Sequence, residues 1–290
     1  YNKYNREVNL LAKTMEAEDL IRKRRIDGIP SMTADQEARV KEIFDIEQRV
    51  ASDKQMYYDN FKTYREHAEL HTRAVAEYAV ALGLNVDSID DKALAELYYA
   101  SYFHDLGMAG GGKNLSGNYY GLNYHKDSGK FLGLINDITC DEPDTTWSKK
   151  AGQATRSNHP LNSAIFILTE DIVPEGLDRE KIALLALSHS KSTSGVTSYM
   201  DISQWNNAIN KLEDAVDNYN KINGLEGTDA ITFDSTRLKS LLDDDFEFKR
   251  LISQALCIRD GDAMSKLALT EDGHTIMQTG TVAHVNSPKY

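Results

Sequence analysis

The stretch YYDNFKTYREHAELHTRAVAEYAVALGL, residues 57–84, constrains the fold more than any other part of this chain. Tyr64, His67, His71, Ala74, Val75, Tyr78 and Leu82 recur at helical spacing, so one long amphipathic helix is expected with imidazoles on its apolar face. A second run, DDKALAELYYASYFHDL, reads as a helix opened by Asp90 or Asp91. It ends by setting His104 beside Asp105 after a row of tyrosine, alanine and phenylalanine. A chain built this way is expected to be all-α, with histidines and a carboxylate carried inward at helix ends.

The rest of the chain fits that class. YNREVNLLAKTMEAEDLIRKRRIDG has Leu10, Leu11, Met15, Leu20 and Ile21 near helical spacing, with a basic last turn before Gly28 and Pro30. TADQEARVKEIFDIEQRVAS follows, with Thr33 and Gln36 in capping-box positions and Val40, Ile43, Phe44 and Val50 as its apolar stripe. These two helices contain no histidine. Residues 1–55 therefore read as an N-terminal helical extension that packs or dimerises, and 56–290 as the site-bearing domain. Helices resume at HPLNSAIFILTED, LDREKIALLALSHS, SQWNNAINKLEDAVDNYNKI and DFEFKRLISQALCIRDGDAMSKLAL. The glycine- and asparagine-rich segment of about 107–157 is too long for an ordinary connection and reads as an inserted lid or functional loop. HTIMQTGTVAHV, near the C-terminus, alternates enough for a short β-hairpin.

Composition removes several functions. A net charge of −12 argues against a general nucleic-acid binder or a ligand of anionic membranes. It leaves room for a small phosphorylated ligand, because a bound metal or a few lysines can invert the local field. The two cysteines, Cys140 and Cys257, form no CxxC pair and imply neither a disulfide framework nor a zinc knuckle. No apolar run approaches a membrane span. The expectation is an excised or processed piece of a cytoplasmic protein.

Five places carry chemistry: His71, the His104–Asp105 pair, His159, His189, and an aspartate in CIRDGDAMSK. Each lies at a helix end or on an apolar helical face. Imidazole nitrogens with carboxylate oxygens, one carboxylate bridging, are the ligands of two-metal hydrolytic sites, and converging helices bring such ligands together from distant sequence. For the final aspartate the choice is between Asp260 and Asp262. Asp262 shares a stripe with Phe248, Leu251, Ile252, Ala255 and Arg259, whereas Asp260 falls with Lys249 and Ser253, which favours Asp262. His67, His125, His274 and His284 read as ordinary hydrogen-bonded or surface residues, with His67 one turn before His71.

The ordered set resembles the HD superfamily of metal-dependent phosphohydrolases, in its branch with ligand order H…HD…H…H…D. HTRAVAEYAVALGL is similar to the opening helix of that family, YYASYFHDLGM to its name-giving motif, NHPLNSAIFIL to its third and IALLALSHSKSTSG to its fourth. LISQALCIRDGDAMSK is similar to the closing segment. The resemblance runs from about Tyr64 to Lys266 and implies an HD-domain helical bundle. It implies two divalent ions, Fe or Mn favoured over Mg, Ni and Co. His71, His104, Asp105 and Asp262 would hold one ion, and His159, His189 and a shared Asp105 the second. A water activated between the ions would attack phosphorus, with Asp105 and His104 as the catalytic pair. The chain departs from the HD-GYP subgroup. Met108 stands where that subgroup has lysine, and SKSTSGVTSYMD replaces its GYP segment. HSKSTSG looks closer to HD enzymes that split dinucleoside polyphosphates or cyclic dinucleotides. A mononuclear HD nucleotide hydrolase and a metal-containing nucleotide sensor without turnover are the alternatives.

GMAGGGKN, Gly107 to Asn114, nearly fits a P-loop. Asn114 cannot supply the hydroxyl that follows the lysine, and the preceding segment is helical in pattern rather than a buried strand. Lys113, Lys191 and Arg156 remain candidates for contacting a substrate phosphate, and the tyrosines of NYYGLNYH for stacking on a nucleotide base.

Overall fold

A computed structural model describes residues 18–52, 69–109, 112–113, 119–120, 124–125, 130–131, 159–189 and 195–265. Helices dominate them: α1 (18–27), α2 (Ala34–Ser52), α3 (Glu69–Gly83), α4 (Asp91–Phe103), α5 (159–169), α6 (Arg179–Ser188), α7 (Ile202–Asn223), α8 (Ser235–Asp243) and α9 (Asp245–Ser265). The strands among the described residues are two short antiparallel pairs within the glycine-rich segment, where none was expected. Gly112 and Lys113 face Tyr120 and Tyr119, and Tyr124 and His125 face Phe131 and Lys130. The hairpin expected near the C-terminus lies outside the described residues, as do His67, His274 and His284.

The helix starts follow from local chemistry. Thr33 and Gln36 form the reciprocal capping box at α2: the Thr33 backbone N–H donates to Gln36 Oε1 at 2.9 Å, and the Gln36 N–H to Thr33 Oγ1 at 3.2 Å. Asp90, not Asp91, caps α4 by accepting from the Ala93 N–H. Asp178 caps α6 in the same way through Lys181.

Helix α6 is the centre of the molecule. Every residue from Lys181 to Ser188 is buried, the pattern of a helix packed on all sides. Helix α4 is nearly as enclosed and lies against it; α3 and α9 pack on α4, and α7 and α9 on α6. Val40, Ile43 and Phe44 of α2 belong to the same core, Phe44 lying against Tyr102 at 5.8 Å between ring centroids. The buried face of α3 differs from the expected stripe by a one-residue rotation. Thr72, Val75, Ala76, Ala79 and Val80 are fully buried, while Ala74, Tyr78 and Leu82 are half-buried. The cause is the close approach of α9. A Cβ added at Gly261 would stand 2.9 Å from the Val75 carbonyl oxygen and 3.1 Å from the Ala79 nitrogen, so the two backbones nearly touch there. No helix among the described residues is long and apolar enough to cross a membrane.

Candidate metal centre

His104 and His189 occupy the same place on neighbouring helices, the C-cap positions of α4 and α6. Their rings meet edge to face at 4.8 Å between centroids. Each Nδ1 lies 2.6 Å from the carbonyl oxygen three residues back, Ser101 O for one and Ala186 O for the other. A carbonyl can only accept, so each Nδ1 carries the proton. With Nδ1 engaged by the helix, both rings turn Nε2 inward, the nitrogen left to serve as a metal ligand.

Asp105 follows His104 directly, and the turn that carries it is clamped to α5. Ser163 Oγ donates to His104 O at 2.6 Å and accepts from the Gly107 N–H at 2.8 Å. The contact depends on Gly107, where an added Cβ would lie 2.1 Å from the His159 carbonyl oxygen. His159 therefore opens α5 right beside the pair. Pro160, with no N–H to lose at a helix start, suits the position that follows.

The result is a split around one carboxylate. Asp105 Oδ2 lies 3.2 Å from His104 Nε2 and 3.5 Å from His71 Nε2. Asp105 Oδ1 lies 3.3 Å from His159 Nε2 and 3.6 Å from His189 Nε2. On the first side Asp262 Oδ1 adds itself 3.4 Å from His71 Nε2, and on the second the two histidine Nε2 atoms are 3.1 Å apart. Asp260 is exposed and pairs with Arg259 instead, so of the two aspartates it is Asp262 that faces the histidines.

These groups fit a cation. Donor atoms held about 2.1 Å from one ion at tetrahedral or octahedral angles stand roughly 3.0–3.4 Å apart, close to the separations here. His104 Nε2 is fully buried and makes no hydrogen bond, the state of a lone pair with no protein donor aimed at it. The ligand atoms of His71, His104 and Asp262, and separately those of His104, Asp105 and His189, lie within 4.8 Å of one another, so buried groups here could hold a metal ion.

Electrostatics agree. Burial opposes charge on Asp105, but the imidazoles around it, His104 foremost, hold its carboxyl well below the usual range. Burial likewise opposes charge on His71, and the hydrogen bonds to Asp105 and Asp262 overcome it, pushing this imidazole up to about 9. His189 goes the other way, down to about 3, because burial and the neighbouring His104 and His159 disfavour a further proton. The C-terminal ends of α4 and α6 add their partial negative charge.

The structure thus brings together all six candidate ligands. Their most exposed side chains are Asp262, at 22%, and His159, at 13%, which marks the open edge. Lys191 and Arg156 lie outside the described residues, and Lys113 is described only through its backbone pairing with Tyr119. Sequence reasoning missed Ser163 and Ser265. Ser265 Oγ lies 3.1 Å from His71 Nδ1 and donates to Asp262 O at 2.8 Å. Helical spacing sets both on ligand-bearing faces, Ser163 one turn after His159 and Ser265 three residues after Asp262, but it does not reveal their tertiary partners. Comparison of the chain with protein-family models, curated proteins and solved structures gives no match.

Proposed function

We propose that this chain is an HD-type metal-dependent phosphohydrolase that holds two divalent ions and cleaves a phosphodiester or phosphoanhydride bond of a nucleotide. The observation that carries the reading is the division of Asp105, one oxygen facing His71 and His104 and the other facing His159 and His189. A single bridging carboxylate with a separate histidine set on each oxygen is the donor arrangement expected of a two-metal hydrolytic site. His71, His104, Asp105 and Asp262 would hold one ion, and Asp105, His159 and His189 the other. The mixed imidazole and carboxylate set suits Fe or Mn, with Mg, Ni and Co also compatible.

When bound, the ions supply Lewis acidity and a water acidic enough to attack phosphorus near neutral pH. The chain's own contribution is positional. Asp105 is held on both oxygens and by the Ser163 clamp on its turn, so it cannot rotate away from either histidine set. The Nδ1 contacts of His104 and His189 to their own helices fix both rings with Nε2 toward Asp105. The bundle walls exclude bulk water from all but the His159 and Asp262 edge, where a phosphate would enter. Lys113, Lys191 and Arg156 are the cations assigned to that phosphate. The exposed Leu20, Ile21 and Ile26 of α1 support self-association through the N-terminal helices.

The test is metal content per chain, measured in the wild type and in His159→Ala and His189→Ala. Two ions falling to about one in either variant is expected; a single ion unaffected by both would replace this reading with a mononuclear one. Hydrolysis of bis-p-nitrophenyl phosphate, cyclic dinucleotides and dinucleoside polyphosphates, with Asp105→Ala as the blank, tests the reaction. A metal-loaded protein that turns over none of them would make the chain a sensor.

A further inference from the structure

His71 is held at Nδ1 differently from His104 and His189. His104 and His189 stand at helix C-termini and use carbonyls of their own last turns. His71 lies near the start of α3, and its Nε2 faces Asp105 and Asp262. Its Nδ1 is met by Ser265 from the last turn of α9. Ser265 is 4% exposed, so water does not readily replace it. The serine hydroxyl has a single hydrogen, and that hydrogen goes to the Asp262 carbonyl. Toward His71 the oxygen can only accept, which leaves the proton on Nδ1 and Nε2 as the ligand atom.

Resting on the metal-centre reading above, we propose that Ser265 is a positioning residue. It fixes the ligand tautomer of His71 and ties that ring to the backbone of Asp262, so that two ligands from helices distant in sequence are set by one hydroxyl. The other side of Asp105 has no share in this link, so Ser265 acts on one ion position only.

Partners of this kind are worth about 10- to 100-fold in metal affinity. The experiment titrates Co(II) into the metal-free full chain, following its visible absorption and the dissociation constant of each ion. Ser265→Ala is expected to weaken one of the two ions by about 10- to 100-fold and to leave the other unchanged. Ser265→Thr keeps the hydroxyl and should restore most of that affinity. In a His71→Ala background, adding Ser265→Ala should change nothing further. Wild-type affinity for both ions in Ser265→Ala would overturn the assignment while leaving the metal centre intact. So would an equal further loss in the His71→Ala background, which would mean general damage to the fold. A wild-type chain that takes up no Co(II) would instead remove the metal-centre reading, and this proposal with it.

Discussion

Helices α4 and α6 lie side by side and bury polar groups at two levels, with opposite outcomes. Toward their N-terminal ends, Lys181 Nζ and Glu96 Oε2 are 3.0 Å apart, with side chains only 8% and 3% exposed. About two turns further along both helices, His104 and His189 meet beside Asp105. The upper level is one cation on one anion, closed. The lower level is two carboxylates and four imidazoles, with a buried Nε2 that makes no hydrogen bond. Both cost desolvation, but only the first balances its charge from within the protein. The same pair of helices therefore carries a structural ion pair and a site that is electrostatically incomplete until a cation arrives.

The largest effect should come from removing the anion at the lower level. Asp105→Asn keeps the side-chain volume and abolishes the charge shared by both histidine sets. Loss of both ions is expected, an affinity drop of more than about a hundredfold, with helical circular dichroism retained. An Asp105→Asn variant that binds metal as the wild type does would place the cation elsewhere.

The upper level should respond in stability rather than in binding. Glu96→Ala leaves the Lys181 ammonium buried without its partner, and a cost of about 3–5 kcal/mol is expected in thermal or urea unfolding. Metal content of the folded fraction should be unchanged. Replacing both partners, Glu96→Leu with Lys181→Met, should recover most of that loss, because two buried charges disappear together. Failure of the double variant to recover would mean that the pair also holds the helices in register.

Ser163→Ala tests the connection between α5 and the turn that carries Asp105. It removes the partner of the Gly107 N–H and one donor to His104 O, and about 1–3 kcal/mol of stability should be lost. Because that turn sets both oxygens of Asp105, affinity for both ions should fall by less than in Asp105→Asn. A change confined to one ion would show that the clamp orients only one histidine set.

The contrast between the two levels also separates what was legible in the residues from what was not. Apolar periodicity located the helices, and the S/T-x-x-Q and aspartate caps located their starts, because both are local signals. The six candidate residues were legible in order because each sits on a helix face or end, and the α9 stripe pointed to Asp262, the aspartate that lies beside His71. The Lys181–Glu96 pair was not legible. In sequence these are a first-turn lysine and a mid-helix glutamate of ordinary surface type, and only the parallel packing of α4 and α6 buries them. Ser163 and Ser265 were missed for a related reason: a hydroxyl's partner is decided by tertiary approach. Those approaches rest on Gly107 and Gly261, whose lack of a Cβ becomes informative only once the opposing backbone is known.

The smallest effect, and the one that most directly probes the incomplete level, is the pH dependence of the ion-free chain. Against burial, Asp105 and Asp262 raise His71 from 6.5 to about 9. Its contribution is fully present below 6.5 and is lost as pH rises through 9, since the unfolded chain sheds that proton first. Burial, together with His104 and His159, lowers His189 from 6.5 to about 3. The unfolded chain then takes up a proton that the folded chain refuses, so stability falls as pH drops below 6.5 toward 3. The two trends leave this cluster most favourable near pH 6.5. Urea unfolding in EDTA across this range should show it. His71→Gln should flatten the alkaline side and His189→Gln the acid side, while the Glu96→Leu/Lys181→Met variant should keep both slopes. A pH profile altered as much by that double variant as by the histidine changes would mean that the two levels titrate as one network, and the division between structural pair and site would fail.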